Sequence, residues 1–265
     1  MDRSQKAPSL HKITISILWS KISKKTFPFI LGNNQTITSS SYSISDQEIH
    51  TLLLILGKSA HLHQLQGIKP VKFELSWQDL LTYNSLKFFH TLLSQHLSHV
   101  QHLSFAFNKT ALLTDKSLES FSYTIHRFLP DLRKLELDFG NCTKLTDDGL
   151  KHFINPSFSC LRSLEELVLG FHTFAGLEDS GVKVLVCGIS RSFSNLKHLE
   201  LDIIGAFEIT NQGLESVGYY LGKRMVKLES FVFQLMWSYQ VTQSAFDELR
   251  NDLKSSIAKV EMERY

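Results

Sequence analysis

LRKLELDFGNCTKLTDDGL, running from Leu132 to Leu150, holds the pattern on which the chain is built. From Lys134 to Phe139 its residues alternate. Leu135, Leu137 and Phe139 share one face, while Lys134, Glu136 and Asp138 share the other. A period of two predicts a strand with one buried face. Thr146 then follows the apolar Leu145 and is a natural helix N-cap. A strand, a turn and a helix start therefore fit within this one segment.

The segment recurs in both directions. IKPVKFEL begins at Ile68, VQHLSFAF at Val100, LEELVLGF at Leu164, LKHLELDI at Leu196 and LESFVFQL at Leu228, each start 32 residues from the next once Leu132 is included. LHKITISI at Leu10 and IAKVEMER at Ile257 bring the strand-like copies to eight. Thirteen residues after each phased start comes LTYNSL, LTDKSL, LTDDGL, LEDSGV, ITNQGL or VTQSAF. Thr82, Thr114, Thr146, Thr210 and Thr242 are the expected N-caps, and Ser45 with Glu48 forms a capping-box pattern. Apolar residues then recur at helical spacing, as in Leu118, Phe121, Ile125 and in Leu214, Val217, Leu221. The small residues Ser85, Ser117, Gly149, Gly181, Gly213 and Ala245 are placed to let each helix start lie close to its neighbour. One unit cannot bury its apolar strand face alone, so the units must stack into a parallel sheet with a continuous core.

This pattern resembles leucine-rich repeats of the ribonuclease-inhibitor-like, cysteine-containing type, in the long-turn variant common in protist proteins. Leu132–Leu150, with Cys142 at the turn, is nearest the consensus, and the resemblance covers residues 10–265. The turn cysteine occurs in that repeat alone, and Phe often replaces Leu on the strands. The resemblance implies an α/β solenoid of about seven repeats plus a closing strand. It would be a right-handed horseshoe with the sheet concave and the helices convex. It also implies a non-catalytic protein-interaction scaffold. The alternative it carries is substrate recognition in a ubiquitin-ligase complex, as in F-box/leucine-rich-repeat proteins, here without an F-box-like segment.

Composition agrees with one stacked array. The chain has 265 residues, 43% of them apolar and 20% charged, and 41 are leucine. Mean hydropathy is −0.06, net charge +2 and pI near 8.3, which is too weakly basic to imply a polyanion partner. The longest apolar run, Leu52–Leu56, is far short of the ~20 residues a membrane helix needs. Cys142, Cys160 and Cys187 are odd in number and scattered. That pattern, with no signal-peptide pattern at the start, suggests the cytoplasm or the nucleus. Residues 1–9 read as a polar tail. The step from Leu10 to Ile68 exceeds the period by 26 residues, placing an inserted polar loop at 20–43. The first strand, Ile13–Leu18, carries no charge and offers an edge for self-association, whereas Lys259, Glu261, Glu263 and Arg264 blunt the last one.

No catalytic or metal constellation is expected, and no cofactor. His96 and His99 end a helix while His102 enters a strand; His61 and His63 stand two apart on a helix. His102 and His198 share a repeat position but are three repeats, about 14 Å, apart. Trp19, Trp77 and Trp237 all stand nine residues after their segment starts, at an inward offset. They are expected to fill the core at the turn, with an aromatic rim for a partner as the alternative.

The outward strand positions define the face on which a partner would rest. Glu136, Asp138, Glu166, Glu200 and Asp202 supply five carboxylates there against Lys134. Val168 lies between Glu136 and Glu200, and Gly170 between Asp138 and Asp202, so each acid pair spans two strands, about 10 Å. That is too wide for one metal ion or a carboxylate dyad, but it suits a Lys or Arg side chain laid over Val168 and Gly170. A basic protein segment is the expected partner, and nucleic acid is not, because its phosphates would meet these carboxylates.

Overall fold

The computed structural model describes residues 90–91, 93–94, 100–107, 113–154, 161–174 and 176–264, together with strand backbone at 13–15 and 71–73. The expected tail 1–9, the insertion 20–43, and Thr82, Trp19, Trp77, Ser45, Glu48, His61, His63, His96, His99 and Cys160 lie outside the described residues.

Six strands follow one another in sheet order as in sequence: β3 (His102–Ala106), β4 (Lys134–Asp138), β5 (Glu166–His172), β6 (His198–Ile204), β7 (Ser230–Met236) and β8 (Lys259–Arg264). Every neighbouring pair is parallel. Ahead of them β1 (Ile13–Ile15) pairs in parallel with β2 (Val71–Phe73), which lies beside β3. Helices return the chain after each of β3 to β7: α1 (Asp115–Phe128), α2 (Asp147–Phe153), α3 (Asp179–Ser192), α4 (Asn211–Val217, continued by a π turn, Gly218–Gly222) and α5 (Gln243–Lys254). Consecutive helices pack side by side on one side of the sheet. The chain is a leucine-rich-repeat α/β solenoid. Strands stack ~4.8 Å apart and helices ~8–10 Å apart, so the array bends with its sheet concave.

The register carries the 32-residue period into columns. Leu103, Leu135, Leu167, Leu199 and Phe231 form one buried column, and Phe105, Leu137, Leu169, Leu201 and Phe233 the next. One step further along each repeat, Phe107, Phe139 and Phe171 stack along the solenoid with ring centroids 5.4 and 5.7 Å apart. The turn position ten residues after the segment starts at Leu132 and Leu228 is also buried. Cys142 uses it to donate its thiol to the Phe107 carbonyl at 3.2 Å, and Ser238 to donate its hydroxyl to the Ala206 carbonyl at 3.1 Å.

The helix starts explain the T-D-x-G pattern. Thr114, Thr146, Thr210 and Thr242 cap their helices through side-chain oxygens that accept backbone N–H groups at 3.2–3.4 Å. Glu178 occupies the same place in α3 without a side-chain cap. The next residue in each repeat reaches forward to the following one. Asp115 accepts the Thr146 N–H at 2.9 Å and its hydroxyl at 2.8 Å. Asp147 accepts the Glu178 N–H at 3.4 Å and the Ser180 hydroxyl, and Asn211 accepts the Thr242 N–H at 2.9 Å. Room for these carboxylates comes from the glycines: a Cβ on Gly149, Gly181 or Gly213 would stand 2.3, 1.9 or 2.6 Å from a carboxylate oxygen of Asp115, Asp147 or Asp179.

Candidate functional site: the outer face of the sheet

The strands alternate, so the residues between the core columns point away from it. Three rows cross the sheet: His102, Lys134, Glu166, His198, Ser230, Lys259; then Ser104, Glu136, Val168, Glu200, Val232, Glu261; then Asp138, Gly170, Asp202, Gln234, Glu263. The seven residues expected to form the partner face therefore occupy three adjacent strands in the expected register. Val168 separates Glu136 from Glu200, and Gly170 separates Asp138 from Asp202. Gly170 keeps the floor low, since a Cβ there would stand 3.1 Å from Asp138 Oδ1.

Part of this charge is already balanced within the face. Lys134 bridges Glu136 at 2.9 Å and Glu166 at 3.0 Å. Burial alone would lower the Lys134 pKa, but hydrogen bonds to both glutamates and their charge carry it above its ordinary 10.5. His172 Nε2 stands 3.1 Å from Asp202 Oδ2. The hydrogen bond to Asp202 outweighs the opposing burial and, with the charges of Asp202 and Asp138, raises the His172 pKa above its ordinary 6.5. Asp138 accepts the Gly140 N–H at 2.8 Å, fixing the turn after β4. The other Asp202 oxygen, Oδ1, is buried and makes no hydrogen bond. Glu200 is the more loosely engaged, 3.9 Å from His198 Nε2.

His172 is the residue that the sequence did not place on this face. β5, β6 and β7 run to seven residues, two beyond the β4 length, so a fourth outward row appears: His172, Ile204, Met236. Extending the alternation by one step would have found it.

Trp237 does not fill the core as expected. It is 51% exposed, with φ of +60°. The left-handed backbone breaks the strand alternation on which the inward reading rested. Asn141, Thr173 and Gly205, one repeat apart from each other and from Trp237, share this conformation with φ of 60, 55 and 73°.

Among the described residues no group of three or more His, Cys, Asp or Glu side chains is arranged to hold a metal ion, and no helix is long and apolar enough to cross a membrane.

No protein-family profile matches the chain, and a search of curated proteins gave no match. Among solved structures, the yeast Rad7 and Elc1 complex is similar over 82% of this chain, with 15% identity and a TM-score of 0.40, and this chain spans 63% of that one. A Bacteroides fragilis protein is similar over 88% of this chain and 77% of its own, with 13% identity and a TM-score of 0.34.

Proposed function

We propose that the chain is a non-catalytic protein-interaction module that holds a basic protein segment on the outer face of its sheet. The observation that supports this reading is the register: five carboxylates surround a neutral floor, Val168 and Gly170, at spacings that admit one cationic side chain between each acid pair. Desolvation weakens a lone ion pair, but several acids sharing one segment act together and steer its approach. Lys134 and His172 set the strength of the face, each drawing on carboxylates a partner would use. The ribonuclease-inhibitor-like subtype, residence in the cytoplasm or nucleus, and an inserted loop at 20–43 belong to the same proposal.

The test is titration of a short Gly/Ser peptide carrying three arginines into the intact chain. Affinity should fall as salt rises and should drop by about 10-fold or more in Glu136→Lys plus Asp202→Lys. Binding that ignores both salt and the double substitution would remove the proposal.

A further inference from the structure

Beside the acidic rows, the sheet changes character toward its far end. The fourth outward row passes from His172 to Ile204 and Met236, and Trp237 follows directly. The Trp237 ring lies over the neighbouring repeat, where a Cβ on Gly205 would stand 3.7 Å from its Cε3. Phe207 and Tyr239, two residues further along their respective turns, stack with centroids 6.1 Å apart and planes 9° from parallel. They remain 44% and 76% exposed. Single exposed aromatics are ordinary, but three on two adjacent turns at the end of one face are not.

The turn carrying two of them is fixed. Ser238, between Trp237 and Tyr239, is buried and donates to the Ala206 carbonyl, while the Gln240 side-chain amide donates to the Phe207 carbonyl at 2.9 Å. Trp237 is held in a left-handed conformation that a bulky side chain rarely adopts. Rigid aromatics presented from a fixed turn lose little entropy on meeting a partner, which is the usual make-up of a binding anchor.

We propose that Trp237, with Ile204 and Met236, anchors one bulky apolar side chain of the basic segment that the acidic rows hold. This rests on the face reading above and specifies its partner. Charge complementarity selects the occupant, because Asp202 stands on β6 two residues before Ile204, so a chain reaching the aromatics passes a carboxylate. Trp237 is three residues beyond Gln234, the register partner of Asp202. At ~3.3 Å per residue this offset is about 10 Å, or three residues of an extended peptide. The partner is therefore a segment with a basic residue and a Leu-like or aromatic residue about three positions apart.

The test compares two probes on the intact chain: the Gly/Ser peptide with three arginines, and the same peptide with one serine, three residues from the central arginine, changed to leucine, made once on each side. One leucine version should bind about 10-fold tighter than the arginine peptide, and this ratio should hold at high salt. The ratio should collapse to about one in Trp237→Ala and in Trp237→Gly, the second of which also relieves the left-handed backbone. A ratio near one on the unaltered chain, or one that survives both substitutions, overturns the anchor while the arginine peptide's binding leaves the face standing. If none of the peptides binds, the face reading falls and the anchor falls with it.

Discussion

Thr210 donates twice to Asp179 across one repeat: its backbone N–H to Oδ1 at 2.9 Å and its hydroxyl to Oδ2 at 2.6 Å. The pair ties the start of α4 to the start of α3 while Thr210 also caps α4. Asp179→Ala leaves the Thr210 N–H, at a half-buried position, without this acceptor. It should destabilise the chain by about 1–2 kcal/mol in chemical denaturation. Asp179→Asn should cost less, because Asn211 already does the same task for Thr242 in the next repeat.

Gly181 should be coupled to the same ladder one repeat earlier. A methyl at Gly181 meets Asp147 Oδ1 at 1.9 Å, so Gly181→Ala should cost about 1–3 kcal/mol despite the better helix propensity of alanine. With Asp147→Ala already in place the penalty should shrink, giving an interaction energy of about 1 kcal/mol or more in a double-mutant cycle. Simple additivity would show that the carboxylate is not what excludes a side chain at Gly181.

His172 gives the face a pH dependence whose sign is fixed by its raised pKa. The ion pair with Asp202 contributes stability that is fully present below the ordinary value of 6.5 and is lost as pH rises through the higher folded value. Asp138 and Asp202 are the charged groups that act on it. Titration of the His172 ring by NMR should place its pKa above 6.5, and Asp202→Asn should move it back down. Removing the histidine charge frees Asp202, so basic-peptide affinity measured on His172→Gln should exceed that of the unaltered chain below the His172 pKa.

Trp237→Gly should raise stability. A left-handed backbone costs a residue with a Cβ roughly 1–2 kcal/mol, and an exposed ring returns only part of that through its contact with Gly205. Thermal or denaturant unfolding should show a gain of about 1 kcal/mol for the glycine variant. A loss would mean that the ring contributes more to the fold than its exposure suggests.

The repeat, the strand register and the row holding Glu136, Val168 and Glu200 were legible in the sequence because all three follow from strict periodicities, two along a strand and 32 along the chain. The Asp179 and Thr210 pairing was half legible. The motif marked Thr210 as a cap, but Asp179 reads as an ordinary first-turn acid of its own helix until the next repeat is stacked on it. His172 escaped because strand length varies between repeats, and an alternation read to the β4 length stops at Gly170. Trp237 escaped for a different reason: a side chain's direction can be read from its offset only while the backbone stays extended, and here φ turns positive. The internal pairing of Lys134 was hidden too, because Glu166 reaches it from the neighbouring strand.

A basic segment held on the outer face of the sheet would lie over Val168. A photo-crosslinking residue placed at Val168 can be compared with one at the exposed Lys183 on α3. With the three-arginine peptide as probe, position 168 should give a crosslink that high salt abolishes, and position 183 should give none. A crosslink from 183 alone would contradict that placement.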